Sequence, residues 1–121
     1  MKKISSLFAL ALILGMTATV SAQSFPQKRA ITLVVPFAPG GGTDAIARDL
    51  AKPLADKLGV PVVVDNKGGA GGAIAAQQIS QAKPDGHTLL FVTSTFVTAA
   101  ATDRKLPYDV NKDFSPISKL G

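Results

Sequence analysis

The sequence predicts an α/β protein built on a doubly wound parallel sheet, and three observations carry that expectation. Short apolar runs rich in β-branched residues alternate with longer runs of helical composition. Two glycine loops, Pro39-Gly40-Gly41-Gly42-Thr43-Asp44 and Lys67-Gly68-Gly69-Ala70-Gly71-Gly72, each join such a short run to a helical one. The order is β-α-β-α-β with brief connections, which favours parallel strands joined by right-handed crossovers.

Ile31 to Phe37 is a continuous apolar run with the character of a strand buried on both faces. Thr43 or Asp44 is placed to N-cap the helix that follows. Ile46, Leu50, Leu54 and Leu58 recur every four residues and predict its buried stripe, flanked by Ala47, Ala51 and Ala55. Pro53 conflicts with that helix, since a mid-helix proline deletes the bond to the Asp49 carbonyl at a cost of about 3 kcal/mol. A kink or a restart is expected there, and Gly59 closes the helix as its C′ residue.

Val60 to Asn66 reads as the second strand, Gly68 to Gly72 as the second loop, and Ala73 to Ala82 as a helix with a stripe through Ala75, Ile79 and Ala82. Lys83-Pro84-Asp85-Gly86 is a turn. His87 to Thr93 is the third strand, and Ser94 and Thr95 open a short helix running to Ala101. Further on, Pro107 and Pro116 break regularity, and Ile117 to Gly121 has the look of a strand beginning.

Residues 1–22 are set apart from this pattern. Lys2 and Lys3, an apolar stretch from Ile4 to Met16 and the small residues of Val20-Ser21-Ala22 have the layout of a secretory signal peptide, with Gln23 as the mature N-terminus. The apolar stretch is shorter than the ~20 residues of a spanning helix. The mature part, 23–121, fits one small domain.

The 121 residues carry 13 basic and 8 acidic side chains; without Lys2 and Lys3 the balance is 11 against 8, a net charge of +3. The basic residues are scattered and not interleaved with aromatics, unlike the concentrated face of a nucleic-acid binder. There is no cysteine, which removes disulfides and thiolate metal sites. With no glutamate and one histidine, His87, placed as a turn or surface residue at the start of a strand, no nucleophile–base pair or metal-ligand cluster is apparent. No catalytic residue, metal or cofactor is expected.

The glycine loops carry the chemistry that remains. A helix opening from such a loop presents unpaired N–H groups and a partial positive charge, and glycine lets a ligand approach the backbone closely. In a parallel sheet both loops, and Ser94 and Thr95, fall at the carboxyl edge of the strands, where ligands of such sheets bind. Two loops at one edge form a cradle for a carboxylate or phosphate. Neither loop has the lysine and hydroxyl of a P-loop or a clean Gly-x-Gly-x-x-Gly.

Residues 26–121 resemble the N-terminal part of the periplasmic substrate-binding proteins of tripartite tricarboxylate transporters, the Bug family. The matching stretches are Ile31 to Phe37, Pro39 to Asp44, Pro61 to Val64, Gly69 to Gly72, Pro84-Asp85-Gly86, Leu106-Pro107-Tyr108-Asp109 and Lys112-Asp113-Phe114. Asn66-Lys67-Gly68 stands where that family commonly has Asn-Arg-Pro, a difference expected to loosen the second loop.

The resemblance implies a two-lobed clamshell that captures small organic acids, often dicarboxylates, and passes them to the permease subunits of a membrane transporter. It implies a carboxylate grip formed by Gly40, Gly41, Gly42, Thr43 and Asp44 with Gly69, Ala70, Gly71 and Gly72. Phe37 would wall the cleft, and Ser94 and Thr95 would donate hydrogen bonds.

On the same resemblance, 23–121 corresponds to part of the first lobe, with the second lobe outside it, and weak binding by this part alone is expected. Two other readings stand beside this one: a phosphate-ester or nucleotide enzyme using the same loop geometry, and the non-functional remnant of a truncated gene.

Overall fold

The computed structural model describes residues 24–102 and 105–120. The expected signal peptide, residues 1–22, and the expected mature N-terminus Gln23 lie outside them, as do Asp103, Arg104 and Gly121.

Three strands form one parallel sheet: β1 (Ile31–Val35), β2 (Val62–Asn66) and β3 (Thr88–Leu90), in the order β2-β1-β3. Ile31 stands opposite Val62 and Val35 opposite Asn66, while Thr32 to Val34 stand opposite Thr88 to Leu90. As the central strand, β1 is covered on both faces, and Ile31, Leu33, Val34 and Val35 are buried. The strands are shorter than their apolar runs. Pro36 and Pro61 have no N–H for the ladder, so β1 stops before the first and β2 starts after the second. The backbone bonds nevertheless reach past the strand ends, with Lys67 N–H donating to Val35 O and Phe91 N–H to Val34 O, both at 2.8 Å.

Helix α1 (Gly42–Leu58) joins β1 to β2, and α2 (Ala73–Ser80) carries the chain back across β1 to β3. Those two connections run in opposite directions along the sheet, so right-handed crossovers place the helices on opposite faces. The order therefore reverses at β1, the switch point beside which ligands of open α/β sheets bind. A third helix, α3 (Ser94–Thr102), follows β3.

Helix α1 corrects three expectations. It continues through Pro53 without ending and restarting; Pro53 and Asp49 are both exposed, so water rather than protein faces the Asp49 carbonyl that lost its donor. Its N-cap is Gly41, with no side-chain cap, instead of Thr43 or Asp44. The line pressed to the sheet is the alanine line: Ala47 is fully buried and Ala51 nearly so, while Ile46 is 57 % exposed and Leu50, Leu54 and Leu58 are half-buried. Alanine lets the helix axis approach the valines of β1 and β2, and the larger residues flank that contact. Gly59 closes α1 as expected, left-handed at φ 68° with its N–H on the Ala55 carbonyl.

Helix α2 stops at Ser80, two residues before Ala82, and buries Ala75 and Ala76. Residues 117–120 make no strand, and Ile117 is 79 % exposed. The irregular segment before them is fastened by an aromatic trio: Phe96 of α3 stacks on Tyr108 at 5.8 Å, and Phe114 stands edge-on to both.

His87 is buried, not the surface residue its turn suggested, at 3 % exposure. Phe25 covers it, with ring centroids 5.3 Å apart, and its Nδ1 lies 3.3 Å from the Ala30 carbonyl. It immediately precedes β3, at the edge opposite the glycine loops and far from any ligand held there.

Candidate functional site

The two glycine loops meet. The first leaves β1 through Pro36–Pro39 and the second leaves β2 through Lys67. A Cβ placed on Gly68 would lie 3.5 Å from the Ala38 nitrogen, and one placed on Gly72 would lie 3.2 Å from Pro36 Cβ. The two loops are thus in contact: a side chain at Gly68 would just fit, whereas one at Gly72, whose φ is 95°, would crowd Pro36. Helix α3, which opens at Ser94, packs beside the turn at 70–72. All three segments named in the sequence stand at the carboxyl edge of the sheet.

The second loop is built on an unusual backbone. Gly69, Ala70, Gly71 and Gly72 have φ of 129°, 47°, 63° and 95°, four positive values in succession. They form a short 3₁₀ turn over Ala70–Gly72, closed by Gly72 N–H on the Gly69 carbonyl at 2.9 Å, that feeds α2. Ala70 is the one member with a Cβ, in a region that disfavours it by about 1–2 kcal/mol. Ala70→Gly is expected to stabilise the chain by up to about 1 kcal/mol, because relief of strain exceeds the added unfolded-state freedom. A urea titration reads this; a lower midpoint would contradict it.

The first loop is fixed by a polar cluster around Asp44, which is 4 % exposed. Asp44 Oδ2 accepts from Gly40 N–H at 2.8 Å and from Arg48 Nε at 3.0 Å, and Oδ1 accepts from Asn66 Nδ2 at 3.0 Å. The Arg48 hydrogen bond, then Gly40 N–H and Asn66, lower the Asp44 pKa to about 2. Asp44 is the third residue of α1 and reaches back past the cap, in the manner of a capping box. Its charge is thus neutralised by Arg48 beside a loop read as an anion cradle.

Asn66, the last residue of β2, completes the cluster. Its Nδ2 also donates to the Phe37 carbonyl at 3.2 Å, and its Oδ1 accepts from Arg48 Nη2 at 3.0 Å. The Asn66 side chain and the Lys67 N–H, which donates to the Val35 carbonyl, tie the start of the second loop to β1 and the first loop.

The predicted site residues divide accordingly. Gly40 has its N–H occupied by Asp44, so it has none to offer a ligand. The first intrahelical bond of α1 is Ala45 N–H to the Gly41 carbonyl, which leaves the N–H groups of Gly42, Thr43 and Asp44 without helical acceptors. Phe37 is half-buried against Leu33, Val35 and Ala47. Ser94 and Thr95 are exposed, and Thr95 Oγ1 lies 2.8 Å from Thr93 Oγ1. Sequence reasoning missed Asn66 and Arg48 as members of the cluster that fixes the first loop. The i,i+4 spacing of Asp44 and Arg48 was a legible signal; nothing local marks Asn66 as their partner.

Comparison with known proteins agrees with this architecture. The family profile described as "Tripartite tricarboxylate transporter family receptor" matches residues 46–121. Protein BugT of Bordetella pertussis is 44 % identical over 109 residues, covering 88 % of this chain and 33 % of that protein. The periplasmic binding protein BugD superposes with a TM-score of 0.71 at 44 % identity, over 74 % of this chain and 30 % of its own. MatC of Rhodopseudomonas palustris with bound malate superposes with a TM-score of 0.67 at 47 % identity, over 73 % and 30 %. The chain spans about a third of the length of the curated relatives it matches. With a parallel sheet of the same form and a family profile covering most of its length, the chain belongs to the tripartite tricarboxylate transporter receptors.

Proposed function

We propose that this chain is part of an extracytoplasmic solute-binding protein that captures small organic acids, dicarboxylates among them, for the permease subunits of a membrane transporter. The observation that carries the reading is the contact between the two glycine loops at the switch point of the sheet, with α1 opening there. The N–H groups of Gly42 and Thr43, with those of Ala70 and Gly71 in the second loop, would receive a ligand carboxylate, the Gly72 N–H being taken by the Gly69 carbonyl, and Ser94 and Thr95 would supply hydroxyls. The malate bound by MatC supports a dicarboxylate as the ligand class. Capture fits better than turnover, because the one histidine is walled off at the opposite edge and the sequence has neither cysteine nor glutamate. Export by residues 1–22 would place the protein in the periplasm.

Affinity follows from the donors. A helix start is worth at most ~2 kcal/mol to an anion, so two together reach about 4 kcal/mol, a millimolar dissociation constant. Isothermal titration of the purified chain with malate is expected to give a dissociation constant near 1 mM or weaker, and dimethyl malate, which has no carboxylate, is expected not to bind. Equal binding of the diester, or micromolar affinity for malate, would contradict this account.

A further inference from the structure

We infer that Asn66 is the positioning residue of the anion cradle: from the root of the second loop its carboxamide grips the first loop and the start of α1, and so sets the direction of the amides there. The inference rests on the carboxylate-cradle reading for its ligand consequence, but its structural content stands on the described hydrogen bonds alone.

Asn66 sits at the last register position of β2, opposite Val35, where the sheet ends and both loops begin. From there one side chain makes three bonds to two segments, the loop that leaves β1 and the first two turns of α1. Nδ2 donates to Phe37 O, on the way out of β1, and to Asp44 Oδ1, in the first turn of α1. Oδ1 accepts from Arg48 Nη2, one turn further along the same helix. No other residue type of this size supplies two donors and an acceptor in one plane. Aspartate has the shape without the donors, and leucine has the volume without either.

The geometry explains how the first loop is held although Gly41 supplies no side-chain cap. Asp44 fixes Gly40 through its N–H, but Asp44 needs a fixed position of its own. Arg48 restrains Asp44 only from within the same helix, by an i,i+4 contact that moves with the helix. Asn66 is the cluster member anchored in the sheet. It therefore sets where α1 starts relative to β1 and β2, and so where the N–H groups of Gly42 and Thr43 point. The second loop, two residues beyond Asn66, inherits the same anchor through Gly68, which packs against Phe37 and Ala38.

The test compares Asn66→Ala and Asn66→Asp with the unmodified chain by amide hydrogen exchange and nitrogen–proton correlation NMR. Gly40 N–H is expected to exchange about fivefold faster in Asn66→Ala, the equivalent of one typical hydrogen bond. It should exchange faster still in Asn66→Asp, whose carboxylate faces Asp44 Oδ1 and the Phe37 carbonyl. Leu33 and Val34 N–H, in the centre of β1, should keep their protection in both.

A residue that merely fills space would give the reverse order, since aspartate keeps the volume that alanine deletes. That order, or unchanged Gly40 exchange in both variants, overturns the inference. A second measurement needs no variant: the Asn66 Nδ2 protons of the unmodified chain should exchange slowly, and rapid exchange with solvent would also overturn it. Malate separates the two levels of the account. If malate moves the Gly42 and Thr43 amides of the unmodified chain, its affinity should fall about fivefold in Asn66→Ala, and equal affinity would overturn the inference. If malate moves neither amide, the cradle reading fails, while the Gly40 exchange order still decides whether Asn66 positions the loop.

Discussion

Gly72→Val is expected to destabilise the chain by about 3 kcal/mol or more, from two costs that act at the same atom. Gly72 has φ 95° and ψ −5°, a conformation that strains a β-branched residue by about 1–3 kcal/mol. Its Cβ would also stand 3.2 Å from Pro36 Cβ, in the contact that joins the two loops. Pro36 is buried, with a ring that has no alternative rotamer to retreat into, so overpacking adds about 1–3 kcal/mol. Gly42→Ala is the matched control: nothing lies within 4 Å of a Cβ there, the residue is helical, and the change is expected to be neutral or slightly stabilising. Paired urea titrations check both. Equal midpoints for the two variants would show that the loops do not touch as described.

The second large effect is the dependence of stability on acid. The folded Asp44 carboxyl titrates near 2, below its ordinary 3.8, because Arg48, Gly40 N–H and Asn66 all bind its ionised form. A folded-state pKa below the unfolded one means stability that is complete above about pH 4 and is lost as pH falls toward 2. Asp85 and Asp109 are lowered as well, by Arg29 and by the Asn111 N–H in the first place, so the whole chain weakens in acid. The part that belongs to Asp44 is isolated by Asp44→Asn, which does not titrate. The difference in melting temperature between the parent and this variant is expected to be constant from pH 7 to about 4. It should then shrink through the window between about 4 and 2. A difference that stays constant down to pH 2 would mean that Asp44 is not held ionised by the cluster.

Much of the fold is legible in the sequence for local reasons. The apolar runs, the Pro-Asp-Gly turn, the left-handed Gly59 and the two glycine loops are each set by a few adjacent residues, and their order fixes a parallel sheet. What the sequence leaves hidden is decided by distant partners. The four-residue leucine repeat of α1 outweighs its alanines in apolar character, yet the sheet selects the alanine line because only small residues allow so close an approach. Pro53 reads as a break, but its missing bond faces water. His87 is buried by Phe25, 62 positions earlier in the chain, a cover no local pattern announces. The candidate site divides in the same way. Its glycines are visible as motifs, whereas the Asp44–Asn66 bond joins residues 22 apart and emerges only when β2 is laid beside β1. Asp44 and Gly40, grouped with the ligand-facing residues by their place in the motif, turn out to bond to each other.

The central claim is that main-chain amides from both glycine loops face one small anion. Titrating the ¹⁵N-labelled chain with malate tests it most directly. The account predicts that the amides of Gly42 and Thr43 shift together with those of the 70–72 turn, all along one binding curve, while His87 and its neighbours stay fixed. Shifts confined to a single loop, or two loops that saturate at different malate concentrations, would contradict it.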